Sequence, residues 1–107
     1  MSLRVLVVDD EKLSRDTTAF ELVEEGYHAE AHSNPFSALA ALETGSWDVV
    51  LTDLRMPSMN GLQFLREIKS RRPATKVIVM TAYGCVPTAV EALHGGAEDY
   101  LTKPFDF

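Results

Sequence analysis

Short, mostly apolar runs alternate along this chain with stretches whose apolar residues recur at helical spacing, and no linker or repeat interrupts the alternation. Leu3 to Val8 is nearly all apolar, which suits a strand buried on both faces of a parallel sheet. Leu13, Thr17, Phe20 and Leu22-Val23 then recur at helical spacing, and Gly26 closes that helix. Tyr27 to Ala31 reads as a second strand. Asn34-Pro35 reads as a cap followed by Pro at the first helical position, with Phe36, Leu39 and Leu42 as the buried stripe and Gly45 as the end. Asp48 to Thr52 is a third strand. Asn60 caps a third helix with Leu62, Leu65 and Ile68 on its apolar face, stopped at Arg71-Arg72-Pro73. Lys76 to Met80 is a fourth strand, Pro87 to Leu93 a weaker fourth helix ended by Gly95-Gly96, and Asp99 to Leu101 a fifth short strand.

Strands that alternate with helices pair in parallel through right-handed crossovers, which put helices on both sheet faces. The expected fold is α/β: a flavodoxin-like, doubly wound, five-stranded parallel sheet in the order 2-1-3-4-5. Its fifth helix is absent from this chain. Residues 1–107 are therefore expected to form one domain, cut short before its last helix.

Bulk properties exclude several function classes. A net charge of −6 argues against direct nucleic-acid binding and against a membrane-surface role. No apolar run approaches the roughly 18 residues of a spanning helix, and no signal peptide is visible. The single cysteine, Cys85, cannot form an internal disulfide and fits a reducing, cytoplasmic compartment.

The polar residues carry the functional signal. Asp9 and Asp10 follow the first strand, Asp53 the third, Thr81 the fourth and Lys103 the fifth. In a parallel sheet these are all carboxyl ends, so residues distant in sequence converge on one edge. Clustered carboxylates repel one another unless a cation joins them. Oxygen ligands without paired His or Cys suit a hard ion such as Mg²⁺. Asp53 is then a candidate nucleophile for aspartyl-phosphate chemistry. Mg²⁺, the Lys103 ammonium and the Thr81 hydroxyl would neutralise or bind the phosphoryl oxygens.

Each residue alone has a plainer explanation. Asp9 and Asp10 could favour the positive end of the first helix, and Asp53 could make an Asx turn. Thr81 could be an ordinary strand-end hydroxyl and Lys103 a solvated cation. Trp47 and Met56 read as packing residues. His28, His32 and His94 show no ligand spacing. The joint placement of the five polar residues is what the plainer explanations leave out.

Val7-Val8-Asp9-Asp10-Glu11, then Leu51 to Pro57 with Gly61, then Met80-Thr81-Ala82, then Asp99 to Phe105 resemble the receiver domains of two-component response regulators. The resemblance runs over essentially the whole chain. It implies that Asp53 is the phosphoacceptor, supplied by a phosphohistidine of a sensor histidine kinase. It implies Mg²⁺ (or Mn²⁺) bound by Asp10, Asp53 and the main-chain carbonyl of Arg55, with Asp9 as a secondary ligand. Thr81 and Tyr100 would be the switch pair, Lys103 the partner of the phosphoryl group, and Lys103-Pro104 a cis bond. The output face would be the fourth helix, fifth strand and absent fifth helix. The phrases Ala82-Tyr83-Gly84, Ala89 to Ala92 and Asp99 to Phe105 are most similar to receivers of AAA+ enhancer-binding transcription activators. That implies a fused output domain, transcription as the output, and a phosphorylation-dependent dimer.

Two rival functions remain open on the sequence: a receiver-like interaction module that is never phosphorylated, and a phosphohydrolase with an Asp nucleophile. Such hydrolases resemble this chain in placing an Asp after a parallel strand. They carry a second acid two residues beyond it, where this chain has Arg55.

Overall fold

The computed structural model describes residues 3–54, 56, 59–81 and 86–102. Five strands, β1 (Arg4–Val8), β2 (His28–His32), β3 (Val49–Asp53), β4 (Lys76–Thr81) and β5 (Asp99–Thr102), alternate with four helices. These are α1 (Lys12–Glu24), α2 (Pro35–Thr44), α3 (Gly61–Arg71) and α4 (Val86–His94). The strands pair in parallel in the order β2-β1-β3-β4-β5, as the alternation predicts. Strand limits differ from the sequence reading by a residue. Asp53 and Thr81 are the last residues of their strands rather than the first beyond them.

The alternation of side chains along each strand divides the interior. Leu6, Val8, Val50, Val77 and Val79 face α2, α3 and α4, where they join Ala38, Leu39, Leu42, Phe64, Leu65, Ile68 and Ala92 in the larger cluster. Val5, Val7, Leu51 and Met80 face the other way and meet Leu22 of α1 in a smaller one. On that second face Val49, Ile78 and Leu101 are only partly buried. Trp47 and Met56 are packing residues, as expected, at 6% and 8% exposure.

Local chemistry explains the helix ends. Asn34 and Asn60 each accept from the backbone N–H three residues on, Ser37 and Gln63, at 2.9 and 2.8 Å. Gly26 (φ +97°) and Gly96 (φ +112°) turn the chain in the left-handed region after α1 and α4. Both close a Schellman pair, with Tyr27 N–H on the Leu22 carbonyl and Ala97 N–H on the Ala92 carbonyl, each at 3.0 Å.

Two expected stripes are only partly the buried ones. In α1, Thr18 and Leu22 are buried, whereas Leu13, Phe20 and Val23 are exposed. The helix is rotated so that the i, i+4 line through Thr18 and Leu22 meets the sheet; Leu13, Thr17 and Phe20 lie roughly half a turn away. In α2, Leu39 and Leu42 are buried as expected, joined by Pro35 and Ala38, whereas Phe36 points outward. In α3, Phe64 joins Leu65 and Ile68 inside, and Leu62 is only partly buried.

Candidate functional site

Register brings the acids together. Val8 pairs with Thr52, so Asp9 follows at the level of Asp53. Asp53 pairs with Met80, and Thr81 with Thr102, at the same carboxyl edge. The ladder continues one step into the loop, where Leu54 N–H donates to the Met80 carbonyl at 3.2 Å. Carboxylate oxygens of Asp9, Asp10 and Asp53 all lie within 4.8 Å of one another.

Their surroundings differ. Asp9 is fully buried, Asp53 half-buried and Asp10 exposed. Asp9 is held along its length: its N–H donates to the His32 carbonyl (3.1 Å), and its Oδ1 accepts from Glu11 N–H (3.0 Å). Its own carbonyl accepts from the Arg15 guanidinium at 3.0 Å. Asp9 thus bonds the backbone just ahead of α1 while also standing in the acid cluster. Asp53 sits beside Thr52, which is fully buried and donates its hydroxyl to the Asp53 carbonyl at 3.1 Å.

Beyond Asp53, the loop into α3 is pinned by Gly61, whose N–H donates to the Leu54 carbonyl at 2.9 Å. A Cβ at position 61 would meet Leu54 Cα at 2.6 Å and its carbonyl oxygen at 3.0 Å, so only glycine lets the two backbones approach this closely. Tyr100, on β5, is half-buried against the larger cluster. Arg55, Lys103 and the Lys103-Pro104 bond lie outside the described residues, as does the Thr81 side chain. His32 bonds Glu30 and Ser37, each at 2.9 Å. Arg15 is the functional neighbour that sequence reading missed. Its position in the first turns of α1 was the available signal, since that turn follows directly on the acids.

Three carboxylates with no imidazole or thiolate offer an oxygen-only donor set, which fits a hard divalent cation better than a transition metal. A doubly wound sheet with an acidic, cation-ready cluster at its switch edge defines a class of α/β domain that binds its ligand beyond the strand ends. The family model for the response regulator receiver domain matches residues 5–107, and the chain belongs to that family. A receiver domain is a signalling switch rather than a classical enzyme.

Regulatory protein AtoC of Escherichia coli K12 is 48% identical over 105 residues, which is 96% of this chain and 22% of that protein. Transcriptional regulatory protein ZraR of Klebsiella oxytoca is 45% identical, over 96% of this chain and 23% of its own length. The crystal structure of NtrX from Brucella abortus in complex with ADP superposes with a TM-score of 0.95 at 36% identity, covering 99% of this chain and 24% of that one. The chain thus spans about a quarter or less of the length of each of these relatives. Among the described residues, no helix is long and apolar enough to cross a membrane.

Proposed function

We propose that the chain is a phosphorelay receiver in which Asp53 accepts a phosphoryl group from the phosphohistidine of a sensor histidine kinase. The observation that carries this reading is the convergence of Asp9, Asp10 and Asp53 within 4.8 Å at the carboxyl edge of a receiver-family sheet. In the reaction an Asp53 carboxylate oxygen forms a bond to phosphorus as the phosphorus–nitrogen bond breaks. The imidazole leaves with the electron pair, and the product is an aspartyl phosphate. Asp10, Asp53 and the Arg55 carbonyl would hold Mg²⁺ (or Mn²⁺), with Asp9 as a secondary ligand, and the ion would supply positive charge beside the phosphoryl oxygens.

Asp9 anchors the edge through its own backbone bonds. Asp53 stays half-buried, reachable by a donor yet held at a strand end. Lys103 takes a phosphoryl oxygen, and the Thr81 hydroxyl moves toward the group. Tyr100 follows from its half-buried position and alters the face of α4 and β5. A helix beyond β5 would cover Val49, Ile78 and Leu101. That altered face acts on an output domain in the longer protein, and the domain itself contacts neither nucleic acid nor membrane. Transcription is the output we favour, in the cytoplasm, through an AAA+ enhancer-binding activator. The AtoC, ZraR and NtrX relatives support that choice.

The test is intact mass after incubation with Mg²⁺ and acetyl phosphate, beside Asp53→Asn and an EDTA control. One phosphoryl group gained by the parent alone, and removed by hydroxylamine, is the expected result. No gain in a folded protein that binds Mg²⁺ would instead favour the interaction module. Many turnovers on small phosphate esters would favour the hydrolase.

A further inference from the structure

Asp10 is exposed, yet in the proposed site it has to meet Asp53 across a bound cation. What sets its direction is the peptide between Asp9 and Asp10, because rotation of that unit swings the Asp10 side chain through the cluster. The Asp9 end of the peptide is fixed by the bonds to His32 and Glu11. Its carbonyl is held by Arg15, whose Nη1 donates at 3.0 Å. Arg15 reaches back from one turn into α1, and its side chain is 17% exposed, packed down rather than solvated. Its other charge contact, to Asp16, is long at 4.0 Å, so the carbonyl is its closest polar engagement among those described.

We propose that Arg15 is a positioning residue of the cation site. It locks the Asp9–Asp10 peptide so that Asp10 is preset toward Asp53, and it does so without touching the cation. This rests on the metal-site part of the proposed function and not on phosphoryl transfer. Two effects of Arg15 on a dication oppose each other. Its charge repels the ion and would weaken binding, whereas its hydrogen bond presets a ligand and would strengthen it. The guanidinium is aimed at a carbonyl, and partners that orient metal ligands typically change affinity by about 10–100-fold. Positioning is therefore the effect that should win.

The test is Mg²⁺ affinity by titration calorimetry, with no phosphoryl donor, well below the melting range of every variant. Arg15→Met keeps the packing of the stem and should bind Mg²⁺ about tenfold more weakly than the parent, at the low end of that range for an open site. Arg15→Lys can reach the carbonyl with one N–H and should fall between the two. A purely architectural Arg15 would lower the melting midpoint and leave affinity alone, which would overturn the proposal. Tighter binding by Arg15→Met would overturn it too, in favour of plain charge repulsion. Should Arg15→Met fail to fold, Arg15→Lys decides alone: weaker binding supports positioning, and parent-like binding defeats it. A parent that does not bind Mg²⁺ sinks the metal site and this inference together. A parent that binds Mg²⁺ but takes no phosphoryl group sinks only the phosphoacceptor reading.

Discussion

The two edges of the sheet are built on opposite principles. At the amino edge, unlike groups are paired. The Arg4 guanidinium lies 4.5 Å over the Trp47 ring while its Nε donates to the Ser46 carbonyl at 2.8 Å. The Arg4 N–H meets the Asp48 carboxylate at 2.8 Å, Trp47 Nε1 donates to the Ala41 carbonyl at 3.2 Å, and the Thr75 hydroxyl donates to the Trp47 carbonyl at 2.9 Å. At the carboxyl edge, like groups are gathered instead, three carboxylates within 4.8 Å. The first arrangement closes strand ends against helices and stabilises them. The second gathers oxygen ligands at a point where, in the proposed function, a cation would sit. Under the proposed function, stability and signalling are thus assigned to opposite ends of the same strands.

The largest expected effect tests whether the edges are independent. Trp47→Ala removes a buried ring and its hydrogen bond and should cost roughly 3–5 kcal/mol in denaturant unfolding. Mg²⁺ affinity of the remaining folded protein should not change; a parallel loss of affinity would break the comparison. Gly61→Ala acts at the other edge. The added methyl has no room against Leu54, so a loss of about 1–3 kcal/mol is expected. Here Mg²⁺ affinity should fall as well, because the pinned loop begins at Asp53.

Asp10→Asn should separate the two effects. Removing an exposed member of the acid cluster should leave the melting midpoint in EDTA nearly unchanged while weakening Mg²⁺ binding by at least about tenfold. A clear fall of the midpoint in EDTA would show that Asp10 supports the fold as well as the cation site.

The smallest effect belongs to the exposed Lys12–Asp16 pair, 2.6 Å apart. The hydrogen bond from Lys12 holds the Asp16 carboxyl below its ordinary value, and the nearby charges of Lys12 and Arg15 add to this. A carboxyl depressed in the folded state contributes at neutral pH, and that contribution is lost as pH falls through its folded value. Because the pair is exposed and screened, Asp16→Asn should leave the melting midpoint at neutral pH and physiological salt unchanged within measurement scatter. A clear drop would mean that charge at the start of α1 matters more than the peptide lock by Arg15.

Much of the fold was legible because its signals are local. Asn34 and Asn60 cap helices, Gly26 and Gly96 turn the chain, and the valine-rich runs Val7-Val8 and Val77 to Val79 read as strand. Parallel pairing followed from the alternation, the strand order from its likeness to the flavodoxin-like arrangement, and the meeting of Asp9, Asp10 and Asp53 from where the acids fall on that order. Rotation of the helices was not legible. Phe36 and Phe20 look like core residues by composition, yet both face outward. A helix in isolation offers several apolar lines, and only packing against particular strands selects one.

By itself, then, the order of residues pointed to a parallel sheet with its acids on one edge, since strands that alternate with helices run in one direction and end on one side. Tertiary structure alone decided that Asp9 is sealed while Asp10 stays open, that Gly61 is required by a close backbone approach, and that Arg15 folds back onto the Asp9 carbonyl. Each of these depends on distances between segments that meet only after the sheet has assembled, and no local pattern encodes such a distance.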